Sequence, residues 1–351
     1  MTTKSNIAQC VLLRAAGVSR NCVLATLLAG ASAAVPAETF LLPRSGDNVI
    51  GALNVATVPG SARVVDVAQT YDVGYHDVKI ANPGVDMWAR NMGAEVVIPT
   101  QYVLPPTPRE GIVINVPEMR LYYYPKPAEG QVPVVITHPI SVGREDWTTP
   151  HGVTKVVRKI KDPVWVPPAS IRREHIQEWG EVLPAVVPAG PNNPMGQFAL
   201  KLGLSGYYIH GTDQNKIEGI GMRVTHGCIR LYPKDIESLF GQVALGTPVR
   251  IINQPVKVGR LHGALYLEAH PHLEEDPLAA EDQYNNVVNL LIDVVGEARS
   301  EIDWHQIRGA IGMRNGIPAV IGQWFGEPSQ EEPQPGVTSA ENQNDGIEQV
   351  W

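Results

Sequence analysis

Short strand-like segments separated by turn residues fill the chain between Gly111 and Asn253. Two of them, Ile112–Val116 and Leu121–Tyr124, flank the turn Pro117–Arg120 and predict a β-hairpin. Further elements are predicted farther along: strands at Val132–Thr137, Lys155–Ile160 and Val249–Ile252, and a helix at Ile236–Phe240. Many short strands need a sandwich or a barrel to bury their apolar faces, so this part of the chain is predicted to be mainly β.

A single cysteine, Cys228, is the strongest chemical signal in the sequence. Cys10 and Cys22 lie in a leader that we predict to be removed, so Cys228 has no partner for an intramolecular disulfide. Such a residue is a buried apolar side chain, an intermolecular link or a reactive thiol. Gly227 leaves room for backbone N–H groups of the turn to face a substrate carbonyl. His210 ends a strand-like run from which the chain can return beside the thiol, and a thiol with an imidazole base is a common nucleophile.

Residues 1–37 have the features of a secretory signal. They contain Lys4, Arg14 and Arg20, no acidic residue, and an apolar run that ends at Val35-Pro36-Ala37. This run is too short to cross a bilayer, so we predict a signal peptide cleaved before Glu38, with an uncleaved anchor as the alternative. The mature protein is therefore predicted to be exported and without stable membrane insertion.

Charge argues against a nucleic-acid partner. The formal net charge of the chain is −8, and no basic stripe is present. Six acidic residues and no lysine or arginine lie beyond Arg314. With its Pro, Glu, Gln and Asn content, the segment 326–351 is predicted to be a disordered acidic tail.

Three motifs give the chain a resemblance to a known family. His210-Gly211-Thr212, Gly219-Ile220-Gly221 and the run Thr225–Leu231 together resemble the signature of L,D-transpeptidases of the YkuD fold, more narrowly the Gram-negative ErfK/YbiS/YcfS/YnhG group. The resemblance extends over about 40–256 and includes Glu110–Asn115, Thr149–Gly152 and Pro191–Gly196. It implies a YkuD-like β-sandwich or barrel as the catalytic domain, at 110–256. Thr225 departs from the usual serine but keeps the hydroxyl.

The resemblance implies roles for the residues around the thiol. Cys228 is expected to be the nucleophile, His210 the general base and acid, and the Gly211 carbonyl the group that orients His210. The Gly227 N–H is expected to bind the oxyanion. Whether His226 supports the loop locally or takes a direct part is left open by the sequence.

Five further residues are candidates for substrate binding. Arg230 stays protonated, so it cannot be a base, and it is expected either to hold a substrate carboxylate or to make a structural pair. The others, which we expect to line the substrate groove, are Thr225, Tyr208, Thr149 and Met195. A metal at Cys228 is disfavoured because Asp213 and Glu218 lack the spacing of zinc ligands. No Gly-x-Ser-x-Gly motif supports a serine hydrolase.

The segments on either side of the catalytic domain have weaker signals. The β-α-α-β order predicted within 40–104 resembles a LysM module, which implies glycan binding; the alternative is a spacer packed on the catalytic domain. Val103–Pro108 reads as a stiff linker. In the C-terminal extension, predicted to be helical and then disordered, apolar residues at helical spacing predict one amphipathic helix at 281–308.

Together these observations predict a periplasmic L,D-transpeptidase of a Gram-negative bacterium, working on peptidoglycan without cofactor or metal. The resemblance implies that a thioester forms on Cys228 at diaminopimelate of a tetrapeptide stem and releases D-alanine. The sequence leaves the acceptor open: a second stem, the lysine of an outer-membrane lipoprotein, or water, which would make the protein a carboxypeptidase or an amidase. A wall-binding protein with an inactive domain is disfavoured because His210, Gly227, Cys228 and Arg230 occur together.

Overall fold

The computed structural model describes residues 38–43, 46–90, 92–276 and 283–326. The predicted signal peptide at 1–37 and residues 327–351 of the predicted disordered tail lie outside these ranges. The described strands are β1 (Thr39–Leu41), β2 (Val49–Gly51), β3 (Asn54–Thr57), β4 (Glu95–Ile98), β5 (Gln101–Val103), β6 (Gly111–Asn115), β7 (Arg120–Tyr124), β8 (Val134–Pro139), β9 (Val142–Gly143), β10 (Gly152–Lys161), β11 (Phe198–Leu202), β12 (Tyr208–His210), β13 (Arg223–Thr225), β14 (Ile229–Arg230), β15 (Pro248–Ile252), β16 (Val256–Leu261), β17 (Ala264–Ala269), β18 (Ser300–Ile302) and β19 (Ala319–Trp324). The described α-helices are α1 (Val64–Thr70), α2 (Tyr75–Ala81), α3 (Ala169–Trp179), α4 (Pro233–Gln242), α5 (Gln283–Val295) and α6 (Trp304–Met313). Over these residues, we find no helix with the length and apolar character of a membrane span.

A nine-stranded sheet is the largest structural unit. Its order is β1-β8-β7-β6-β15-β10-β11-β12-β14, and neighbours are antiparallel except β6 with β15 and β12 with β14. The predicted hairpin is β6–β7, with Gly111 opposite Tyr124 and Asn115 opposite Arg120. The predicted helix lies within α4, which begins at Pro233 because a helix's first residue needs no N–H bond. Apolar side chains from these strands and from α4 form one buried core, which includes Ile112, Leu121, Leu200, Ile229 and Leu239. The mainly β prediction is confirmed.

A small unit with its own apolar core precedes this sheet. Strands β3 and β4 pair antiparallel, and α1 and α2 pack on them around buried residues that include Val58, Val64, Val73 and Ile98. The side chain of Asn82 bonds the Val78 and Val97 carbonyls at 2.8 and 2.9 Å and accepts the Val97 N–H at 2.7 Å. This amide ties the end of α2 to β4. The resemblance to a LysM module and the binding of glycan stay predictions.

The predicted boundaries 40–104 of this unit are wrong at both ends. Strand β1 pairs with β8, so Thr39–Leu41 extend the nine-stranded sheet. Strands β2 and β5 pair with each other and contact β16 of the C-terminal sheet. The predicted linker Val103–Pro108 is wrong at its start. Val103 and Leu104 are buried apolar residues, so they are part of the packed structure.

The N-terminal unit is fixed to the segment that precedes Cys228. The N–H groups of Tyr75 and His76 donate to the carbonyls of Ile220 and Gly221 at 3.0 and 3.1 Å. A Cβ on Gly221, whose φ is +82°, would lie 2.4 Å from the Cα of Gly74, so the approach requires glycine. This packing is what the spacer alternative predicted.

The C-terminal extension is α+β, not the single amphipathic helix predicted at 281–308. Helix α5 ends at Val295, and Gly296 follows in the left-handed region with φ +60°. Next, β18 pairs with β19 in the sheet β16-β17-β19-β18. The carboxylate of Asp303 then caps α6 by accepting the N–H groups of His305 and Gln306. The helical period runs through 300–302, but the non-local pairing with β19 overrides it.

Three parts of the chain meet at a buried ammonium group. Lys257 Nζ lies 2.9 Å from Glu118 Oε1 and 2.8 Å from Glu268 Oε1, and all three side chains are buried. Glu268 Oε2 accepts the Val103 N–H at 2.6 Å, and its Oε1 lies 2.7 Å from His270 Nε2. Although burial raises the pKa of Glu118, the nearby positive charges, chiefly Lys257, bring it down to about 2.

We expect Lys257→Met to lower the free energy of unfolding by about 3–5 kcal/mol, because the change leaves two buried carboxylates without their cation. Denaturant unfolding monitored by fluorescence measures it, and the exposed Lys155→Met is the matched control. The folded-state pKa of Glu118, about 2, lies below its usual 4.5. The stabilisation is therefore complete above that higher value and is lost as the pH falls toward the lower one. If Lys257→Met and the parent protein had the same free energy of unfolding at pH 7, this interpretation would be contradicted.

Candidate active site

Parallel pairing of β12 with β14 brings the predicted nucleophile and base together. Ile209 lies opposite Ile229 and His210 opposite Arg230, and the Leu231 N–H donates to the His210 carbonyl at 2.9 Å. Paired residues project to the same face, and side chains two apart along a strand share a face. Cys228 directly precedes β14, so the thiol, the imidazole of His210 and the guanidinium of Arg230 lie on one face of the sheet.

The backbone turn that presents Cys228 requires a glycine. Gly227 has φ +96°, and a Cβ there would lie 2.8 Å from a ring atom of Tyr207 and 3.0 Å from the Thr148 carbonyl oxygen. The hydroxyl of Thr225 donates to the Cys228 carbonyl at 2.6 Å and accepts the Gly227 N–H at 3.2 Å. This bond engages the Gly227 N–H within the turn, and its role as the oxyanion donor stays a prediction.

Two of the predicted substrate contacts are instead supports of this turn. Thr149 donates its hydroxyl to the Gly227 carbonyl at 3.0 Å and accepts the Gly143 N–H at 2.9 Å. Thr225 likewise uses its hydroxyl as both donor and acceptor within the turn. Each side chain is buried, with 3% and 2% of its surface exposed, which leaves neither free to meet a substrate. The sequence could not reveal this, since a hydroxyl near a thiol suits either role.

The imidazole of His210 is held in one tautomer. Its Nδ1 lies 2.6 Å from the Gly211 carbonyl oxygen, the contact that the family resemblance implied. Because a carbonyl only accepts, the hydrogen-bond pattern assigns the proton to Nδ1 and leaves Nε2 as the acceptor. Burial lowers the pKa of His210 to about 3, and the Arg230 charge adds to the effect. The ring is therefore neutral at pH 7.

The thiol of Cys228 is also uncharged at rest. Its Sγ lies 3.7 Å from the Gly206 carbonyl oxygen and is hydrogen-bonded to the Tyr208 backbone amide. Burial raises the pKa of Cys228, while that amide and the Arg230 charge offset part of the increase. A neutral thiol beside a neutral imidazole can react when the proton moves to Nε2 during the attack itself.

His226 has a structural partner that the sequence did not reveal. Its Nε2 lies 2.6 Å from Glu174 Oε2, and its ring packs edge-on against Trp147 at 5.0 Å between centroids. Glu174 Oε1 accepts the Trp147 indole N–H at 3.2 Å and pairs with Arg144. Helix α3, which has no buried residue of its own, is thereby fixed to the cysteine turn. The sequence left two roles open for His226, local support of the loop or a direct part in the reaction. The contact with Glu174 favours local support.

Two cavities flank the cysteine turn. One, of about 490 Å³, is bounded by Cys228 together with Tyr208, Met195 and Trp147. The other, of about 410 Å³, is lined by Arg230 and Lys216. Trp165, Ile171 and His226 line both cavities.

The two cavities differ in charge, which suggests different substrate groups. Burial lowers the pKa of Lys216 and the Arg230 charge adds to the decrease, whereas Asp213, whose Oδ2 lies 3.8 Å from the Lys216 Nζ, opposes it. Arg230 also has a buried Nε without a hydrogen-bond partner in the described part of the chain. Sequence reasoning missed Lys216, which lies in the 3-10 turn Gln214–Gly219. Its position between His210 and Cys228 in the sequence could have marked it as a candidate.

Comparisons with known proteins show what this chain is similar to. The family model of the L,D-transpeptidase catalytic domain (YkuD) matches residues 109–251. "Probable L,D-transpeptidase YbiS" of Escherichia coli (strain K12) is 41% identical over 309 residues, which are 85% of this chain and 98% of that protein. "Probable L,D-transpeptidase ErfK/SrfK" of Salmonella typhimurium is 40% identical over 292 residues, 81% of this chain and 91% of that protein. A solved catalytic domain from E. faecium L,D-transpeptidase is 23% identical, covers 42% of this chain and 100% of its own, and has a TM-score of 0.30.

The rate of Cys228 alkylation by iodoacetamide should follow thiolate formation at a pKa above the usual value of about 8.5. Burial raises the pKa of Cys228, and the Arg230 charge holds it down, so Arg230→Gln should move the midpoint to still higher pH. Mass spectrometry of the intact protein against pH measures both midpoints. A midpoint below pH 7 would show a thiolate at rest and contradict the neutral pair.

Proposed function

This chain belongs to the L,D-transpeptidase family, and on that premise we propose that it remodels peptidoglycan stem peptides through a thioester on Cys228. The donor in this proposal is a tetrapeptide stem, cleaved at the carbonyl of its third residue, diaminopimelate. The observation that carries it is the pairing of β12 with β14, which sets His210 and Cys228 on one face of the sheet. The Gly211 contact supports it by leaving Nε2 of His210 as the proton acceptor.

In the first half-reaction, Sγ of Cys228 attacks the carbonyl carbon while Nε2 of His210 takes the thiol proton. The C–S bond forms, the amide C–N bond to D-alanine breaks, and His210 gives the proton to the departing amine. We assign the oxyanion to the backbone N–H of Cys228, since the Gly227 N–H is donated to Thr225.

In the second half-reaction, an acceptor resolves the thioester and returns the thiol. An acceptor amine loses its proton to His210, forms the new amide and releases sulfur, which recovers the proton. The energy of the old amide is kept in the thioester, so no nucleotide is required. The predicted leader at 1–37 supports a periplasmic location, a compartment without ATP.

Charge supports a place for the stem on either side of the sulfur. Arg230 and Lys216 line one cavity together, which suits a carboxylate of the stem. The cavity beside Cys228 has mostly apolar and aromatic walls, including Trp147 and Tyr208. A second stem, the lysine of a lipoprotein and water all remain as acceptors in this proposal.

Cys228→Ala should abolish the reaction on purified sacculi while leaving the melting temperature unchanged, because it removes one sulfur and no disulfide. Mass spectrometry of the released muropeptides is the measurement. Dimers joined 3→3 identify a stem acceptor, tripeptides without dimers identify water, and coupling to an added lysine peptide identifies a lipoprotein-type acceptor. Transfer that persists in the variant would overturn the thioester proposal.

His210→Ala should reduce kcat by about 100- to 10,000-fold near neutral pH, the usual contribution of a general base. His226→Ala should cost much less, because His226 contacts Glu174 instead of the sulfur. Glu174→Gln serves as the matched control, since it weakens the same contact from the other side. Comparable losses in His210→Ala and His226→Ala would show that the roles of the two histidines are exchanged.

A further inference from the structure

Three buried ionisable side chains converge where the N-terminal unit meets the catalytic sheet. Asp72 follows α1, His138 lies on β8 and Asp235 lies in the first turn of α4. Their exposed fractions are 3%, 0% and 1%. One nitrogen or oxygen of each lies within 4.8 Å of those of the other two.

The polar atoms of this cluster lack the partners that buried groups normally have. Over the described residues, neither ring nitrogen of His138 and neither oxygen of Asp235 has a hydrogen-bond partner. His138 Nδ1 lies 3.6 Å from Asp235 Oδ1, which is too long for a hydrogen bond. Lys234 Nζ lies 3.1 Å from Asp72 Oδ1, so one oxygen of the cluster has a cation beside it. Almost every buried polar group in a native protein is satisfied, so this convergence calls for a ligand.

The charge of the cluster indicates the sign of that ligand. Two buried carboxylates lie together here, and the side chain of Lys234, whose ammonium lies beside Asp72, is 44% exposed. The two carboxylates repel each other at this range, and burial removes the water that would stabilise their charge. A cation between the three side chains would relieve both the repulsion and the desolvation.

A second buried cluster in the chain shows the filled arrangement. Glu118, Glu268 and His270 are grouped as closely as Asp72, His138 and Asp235. There, Lys257 Nζ lies within 2.9 Å of both carboxylates and acts as the cation. The Lys234 ammonium lies 3.1 Å from Asp72 Oδ1 and its side chain is 44% exposed, so it is not a buried counterpart of Lys257.

We propose that Asp72, His138 and Asp235 bind a divalent transition-metal cation that pins the N-terminal unit to the catalytic domain. Two carboxylate oxygens and an imidazole nitrogen suit Zn²⁺ or Mn²⁺, which bind such donors at about 2.0–2.2 Å. The ion has a structural role, since α4 holds Ile236 against Gly211, the residue that orients His210.

The test uses the purified full chain carrying Cys228→Ser, so that the thiol cannot bind metal. The protein is stripped with EDTA and titrated with Zn²⁺, Mn²⁺ or Mg²⁺, and metal content and melting temperature are measured. We expect one Zn²⁺ or Mn²⁺ per chain, little effect of Mg²⁺, and a rise of about 5 °C at a hundredfold excess over Kd. His138→Asn and Asp235→Asn should each lose the bound ion and the rise.

Two further variants keep the outcome decisive if those proteins fold poorly. Lys234→Met removes the competing cation and should bind Zn²⁺ at least about tenfold more tightly, since like charges at close range repel. His270→Asn, in the cluster filled by Lys257, should retain the metal.

Three results would overturn the proposal. No stoichiometric ion in the Cys228→Ser protein would do so, and so would equal metal content in the His138→Asn and parent proteins, which indicates adventitious binding elsewhere. A melting temperature that Zn²⁺ raises as much in Asp235→Asn as in the parent protein would also do so, because it would show that Asp235 does not hold the ion.

Discussion

The ammonium of Lys257 is the point where three parts of the described structure are joined. A buried cation needs anionic partners, and Lys257 finds them in Glu118 of the β6–β7 turn and Glu268 of β17. Glu268 in turn accepts the N–H of Val103 in β5. The catalytic sheet, the strands around the N-terminal unit and the C-terminal sheet therefore each complete the polar contacts of the others, which is why residues 103–104 cannot act as a free linker.

A second set of contacts connects the N-terminal unit and α3 to the cysteine turn. Tyr75 and His76 bond the segment 220–221, and Thr225 and Thr149 then hold the turn through their hydroxyls. From the other side, Glu174 ties α3 to the turn through His226. The proposed cation site lies where the N-terminal unit meets the catalytic domain, whereas the Lys257 cluster lies between the catalytic sheet and the C-terminal sheet. The position of the Cys228 turn thus depends on residues that lie far from it in the sequence.

The chemistry of the site follows from burial as much as from composition. Burial lowers the pKa of His210 to about 3 and raises the pKa of Cys228. Both groups are then neutral at rest, and the Gly211 carbonyl makes Nε2 the acceptor. The site is ordered before the substrate arrives and separates charge only in the proposed attack, in a place where Arg230 stabilises the thiolate.

The sequence by itself determined the mainly β fold and the β6–β7 hairpin, because short alternating runs are local signals, and it singled out Cys228 and His210 as candidates. It did not determine the use of Thr225, Thr149 and the Gly227 N–H inside the turn, since a hydroxyl or an amide has no preferred partner until the chain folds. The same holds for β18, which a helical period masked, and for Glu174. Asp72, His138 and Asp235 lie far apart along the chain, and only the packing of α1, β8 and α4 brings them together. Tertiary structure decided these points because burial and non-local pairing, not local propensity, set the partners of polar groups.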